Sequence, residues 1–153
     1  MKTVSSSADC KATPEVACSR ILSEQGMHAW WIGKVKVVDY DAAWPALNTR
    51  MSWRAGGGLF VATICEDSRP KKVVMSAVTP AADSKITHSF DSIAGGGTRY
   101  SKTVEVRART RMFRLIIPLF MLMIGTLVKK EVRRAAVFAD GDNQKETAPH
   151  SLK

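Results

Sequence analysis

The chain has 153 residues, 45% of them apolar and 24% charged, a length and balance that suit one domain with a real core and exclude a disordered composition. Lys and Arg number 23 against 14 Asp and Glu, a formal net charge of +9 that favours anionic partners without selecting one. The three cysteines, Cys10, Cys18 and Cys65, form no C-x-x-C pair, which argues against a disulfide framework or structural zinc, and the polar start Met1–Ser7 lacks the apolar stretch of a secretory signal.

Lys2 to Lys11 alternates loosely, as a strand does. Thr13-Pro14-Glu15 is a helix start, because proline loses nothing where the first N–H groups are unpaired. Val16, Ala17 or Cys18, Ile21 and Leu22 supply its apolar stripe. Gly26 reads as a break, and His28-Ala29-Trp30-Trp31 as a second short helix or turn closed by Gly33. From Lys34 the period becomes alternating, with Val35, Val37 and Asp39 on one face and Lys36, Val38 and Tyr40 on the other. Arg50–Arg54, Leu59–Glu66, Lys71–Thr79, Lys85–Ile93 and Thr98–Arg111 follow as strands. Their separators, among them Gly56-Gly57-Gly58 and Gly95-Gly96-Gly97, are of hairpin length, so the strands are antiparallel. Neither glycine run precedes the Lys-Ser/Thr of a phosphate loop. In the last strand Tyr100, Val104, Val106 and Ala108 share a dry face, while Arg107, Arg109 and Arg111 form a basic comb on the other.

A long helix runs from Met112 or Pro118 to Phe138. Its segment Leu115–Val128 is apolar but for Thr126 and is too short for an uninterrupted span, so it is expected to be a buried core helix, with membrane-surface contact or an anchor as the alternatives. Lys129, Lys130, Arg133 and Arg134 suit the helix C-terminus. The domain is assigned to residues 1–139, with a polar, flexible tail over 140–153.

This order of one strand, two short helices, six antiparallel strands and a C-terminal helix is an α+β helix-grip arrangement. With Ala12-Thr13-Pro14-Glu15-Val16, Trp30-Trp31, Trp53 ahead of its glycines and Gly96-Gly97-Thr98-Arg99, the chain resembles the polyketide cyclase/dehydrase and lipid-transport group of the START and birch-pollen-allergen superfamily (SRPBCC). The resemblance implies a curved sheet wrapped around the terminal helix and a cavity between them for an apolar ligand. It supplies no catalytic motif, and fold does not settle function.

The expected cavity residues are Trp31, Val37, Met51, Trp53, Val61, Cys65, Met75, His88, Phe90, Tyr100, Phe120, Met121 and Ile124. His88 as general base, with Tyr100 or Asp39 orienting it, is the minimum for cyclisation or dehydration. No metal site or cofactor is expected. The leading expectation is a cytoplasmic, non-enzymatic protein, monomer or homodimer, that binds a hydrophobic small molecule or lipid. A cyclase/dehydratase is one alternative. The other is a module at an anionic membrane surface or protein partner, acting through the basic ridge and the terminal helix; no specific nucleic acid is expected.

Overall fold

The computed structural model describes residues 1–31, 36–55 and 58–141. Ile32, Gly33, Lys34, Val35, Gly56, Gly57 and the tail beyond Gly141 lie outside the described residues, as do the side chains of Lys36, Val37, Val38 and Ala55. In chain order the elements are β1 (Lys2–Cys10), α1 (Pro14–Leu22), α2 (Glu24–Trp30), β2 (Lys36–Tyr40), β3 (Arg50–Ala55), β4 (Gly58–Ser68), β5 (Lys72–Val78), β6 (Ala82–Ser92), β7 (Thr98–Ala108) and α3 (Arg111–Ala139). The seven strands form one curved antiparallel sheet in the order β1-β7-β6-β5-β4-β3-β2, with α3 packed on it. This is the expected α+β helix-grip-like fold.

Local chemistry sets the element ends. Thr13 caps α1, its Oγ1 accepting from the Val16 N–H. The break between the first two helices falls at Ser23, whose Oγ accepts from Gly26 N–H at 2.9 Å. Gly26 is inside α2 and is needed for close approach, since a Cβ there would stand 2.0 Å from the Arg20 carbonyl oxygen. Between β6 and β7, Gly95 and Gly96 hold φ of +89° and +85°, a region closed to most side chains. β7 ends at Ala108 rather than Arg111, because Thr110 caps α3 by accepting from Phe113 N–H at 3.1 Å. Arg109 and Arg111 are exposed but belong to the turn and to the helix.

The core lies between the inner sheet face and the helices. Along β7 the buried residues are Thr98, Tyr100, Lys102, Val104 and Val106, alternating with more exposed neighbours, as a one-sided strand requires. α3 lies toward the β1 and β7 side of the sheet and touches α1 and α2. Its buried stripe includes Ile117, Met121, Val128, Val132 and Ala135. Asp140 is no frayed residue: its Oδ1 accepts from the N–H groups of Lys11 (2.7 Å) and Ala12 (3.1 Å), fastening the end of α3 to the β1–α1 corner.

The apolar segment of α3 departs from expectation. Only a minority of it is buried, and Leu115, Ile116, Leu119, Leu122 and Met123 are exposed, Leu115 at 82%, as is Met112 just before it. The physical reason is geometric: a helix of 3.6 residues per turn laid along one side of a sheet can bury one stripe, and this segment is apolar all round. By length and composition alone, α3 is long and apolar enough to cross a membrane.

Candidate functional site

The interior carries a polar cluster built by strand register. His88 on β6 pairs directly with Lys102 on β7, and Phe90 with Tyr100, so the four side chains share the inner face. His88 and Tyr100 are wholly buried, and Nδ1 of the imidazole lies 2.8 Å from the Tyr100 hydroxyl. Lys102 Nζ donates to Glu131 Oε2 of α3 at 2.5 Å, with both side chains 7% exposed. The same ammonium stands 4.6 Å from the centroid of the Trp30 ring, a cation–π placement.

Burial, then the neighbouring Lys102 charge, holds His88 well below the usual imidazole value, so the ring is neutral at pH 7. Burial, then Glu131, holds the Tyr100 phenol well above its ordinary value. Tyr100 therefore keeps its single proton. Donating it to Nδ1 places the imidazole proton on Nε2, and this arrangement leaves the fewest groups unpaired. Nε2 has no hydrogen-bond partner among the described residues. A buried donor left unsatisfied costs about 1–3 kcal/mol, which makes it a natural place for an incoming acceptor.

A chain of aromatic rings leads from this cluster to a half-buried wall on the inner face. Ring centroids are 6.0 Å apart from His88 to Trp30, 6.0 Å from Trp30 to Trp31, 5.4 Å from Trp31 to Trp53 and 5.6 Å from Trp53 to Phe60. Met51, Met75 and Phe90 are buried on the same side, with Met121 of α3 buried and its Phe120 and Ile124 packed partly into the core. Thus His88, Tyr100, Met51, Trp53, Met75, Phe90, Trp31 and the three α3 residues belong to one interior.

Three predicted members do not join it. Val61 is exposed on the outer face, because Met51↔Ala62 and Trp53↔Phe60 pairing turns Phe60, Ala62 and Ile64 inward. Cys65 sits at the β4 irregularity between Ile64 and Glu66 and is exposed. Asp39 is also exposed, its Oδ1 accepting from Tyr40 N–H at 2.9 Å. A register shift between Val37 and Asp39 exchanges the faces of β2, so Tyr40, opposite buried Met51, turns in where Asp39 was expected. Val37 pairs with Trp53 in the backbone register, but its side chain lies outside the described residues.

Lys102 and Glu131 are not among the site residues expected from the sequence, although both carry a signal there. Lys102 falls on the dry alternation between Tyr100 and Val104, and Glu131 is the one acid of α3, placed beside the buried Val128 and Val132. A separate open cleft of about 450 Å³ lies between α1 and the segments holding Trp44-Pro45 and Arg69-Pro70. Its thiol, Cys18, is pushed up to about 11 by burial and is a poor nucleophile at neutral pH. No cluster of three or more metal-ligating side chains occurs among the described residues.

No protein-family profile matches the chain, and no curated protein sequence does. Solved structures share the fold. The protein TTHA0849 from Thermus thermophilus superposes with a TM-score of 0.68 at 16% identity, covering 93% of this chain and 99% of that one. Protein CV1439 from Chromobacterium violaceum gives 0.65 at 16% identity, over 90% and 96%, and a protomer of the Aha1 dimer from Colwellia psychrerythraea gives 0.54 at 15%, over 84% and 97%. Likeness at these identities establishes an antiparallel sheet with a C-terminal helix and nothing finer.

Proposed function

We propose that the chain binds a hydrophobic small molecule or lipid against the concave face of the sheet, beneath α3, with an acceptor oxygen of the ligand at His88 Nε2. The observation that carries this reading is the fully buried imidazole nitrogen, without a partner among the described residues, at the end of an aromatic wall. Apolar ligand surface leaving water contributes roughly 25 cal/mol per Å², and one polar contact fixes orientation. The SRPBCC resemblance, with its lipid-transport and cyclase members, agrees with this reading. A cyclase or dehydratase is the second reading, favoured by a neutral imidazole joined to a phenol at 2.8 Å, the pair that general acid–base work uses.

The test is native mass spectrometry of protein purified without detergent, followed by solvent extraction. A stoichiometric organic adduct is expected, and His88→Phe should weaken rebinding of the extracted compound about 3- to 10-fold, one hydrogen bond's worth. Chemical conversion of that compound by the native chain, lost in Tyr100→Phe, would select the enzyme. An adduct-free protein that takes up no N-phenyl-1-naphthylamine when its outer apolar patch is blocked by Leu119→Asp would overturn both readings.

A further inference from the structure

Among the described residues nothing covers the outer face of α3, and that face is divided along its length. Over residues 112–123 it presents Met112, Leu115, Ile116, Leu119, Leu122 and Met123, all more than half exposed. The row Met112, Leu119, Met123 continues at helical spacing into Lys130 and Arg134, with Lys129 and Arg133 alongside. α3 has six exposed cations, Arg111, Arg114, Lys129, Lys130, Arg133 and Arg134, and none has an ion-pair partner among the described residues. Its single acid, Glu131, is buried against Lys102. The outer face therefore joins an apolar strip to unbalanced positive charge.

We propose that this face docks on the surface of an anionic lipid bilayer, with the apolar strip at the headgroup–acyl boundary and the cations among the headgroups. Charge decides the occupant. A second copy packed parallel would set Lys129–Arg134 against itself, and packed antiparallel would bring that cluster toward Arg111 of the other copy, so either dimer opposes like charges. An anionic surface answers Arg111, Lys129, Lys130, Arg133 and Arg134 together. Surface-lying fits better than crossing: the strip spans about 17 Å at 1.5 Å per residue, against a hydrocarbon core of about 30 Å. Crossing would also strip Ile117, Met121 and Glu131 from the contacts that bury them. This docking is independent of any ligand inside the sheet.

The full chain should co-sediment with vesicles of phosphatidylcholine and phosphatidylglycerol at 0.1 M salt, and at least tenfold less with phosphatidylcholine alone. Binding should fall at least tenfold by 0.5 M salt, as screening of surface charge requires. Leu119→Asp or Leu122→Asp, each on the exposed face, should lose at least tenfold with an unchanged circular dichroism spectrum, and so should a Lys129→Glu/Lys130→Glu double variant. No vesicle binding, equal binding to neutral vesicles, indifference to these substitutions, or a dimer at 0.1 M salt that buries the strip would each overturn the proposal. The native-mass adduct of the interior should persist in Leu119→Asp, so failure of one reading is separable from failure of the other.

Discussion

Complete burial of His88 beside Lys102 sets a sign for the pH dependence of stability. Its folded value lies well below the ordinary 6.5, with burial the larger cause and the Lys102 charge the smaller. Between those two values the unfolded chain binds a proton that the folded chain refuses, so this contribution is fully present above pH 6.5 and is lost as pH falls below it. Urea unfolding should therefore show stability falling as pH drops below 6.5, by at most about 1.4 kcal/mol per pH unit from this one group. His88→Gln should remove that slope, and equal slopes in both proteins would contradict the assignment. Sequence alternation was enough to place His88 and Tyr100 on the inner face, since both strands keep an even period. Lys102 was passed over because an ammonium is normally expected outside, even at an inward position. Asp39 was misplaced for a different reason: one extra residue in β2 inverts the pattern, and no residue type announces a bulge there.

The Lys102–Glu131 bond is what couples the sheet to α3 in polar terms. It joins the middle of β7 to the second half of the helix with both charges out of water, where an unpaired partner would be an uncompensated buried charge. Lys102→Met or Glu131→Leu alone should destabilise by about 3–5 kcal/mol, whereas the double replacement should come within about 1 kcal/mol of the native chain or exceed it. Chemical denaturation of the four proteins closes the cycle, and additive losses would refute the coupling. The elements themselves were largely legible: Thr13-Pro14 set the start of α1, and the glycine and proline punctuation separated the strands. α3 was legible as a helix but not in its environment. An all-round apolar helix reads as buried, and only the tertiary placement toward β1 and β7 reveals that none of the described residues covers its outer half. Pro118, one of the two considered starts, lies inside α3 instead, because Thr110 caps the helix earlier in the chain.

At the scale of the molecule, a formal charge of +9 and an exposed apolar strip on α3 oppose each other. Burial of Leu115, Leu119 and their neighbours against a second copy is favourable by area, since each large side chain removed from water contributes about 1.5–3 kcal/mol. Approach of two such faces confronts the exposed Lys and Arg of both helices, whose one acid, Glu131, is buried against Lys102. Repulsion between exposed charges acts over roughly 10 Å at 0.1 M salt and over about 3 Å at 1 M, while apolar association persists or strengthens in salts such as sulfate. The balance should therefore turn with ionic strength. Sedimentation equilibrium is expected to find a monomer at 0.1 M sodium chloride and reversible self-association in concentrated sodium sulfate, and Leu119→Asp should remain monomeric in both. Association that is stronger at low salt, or that survives Leu119→Asp, would place the contact elsewhere and remove the repulsion on which the proposed docking of α3 rests.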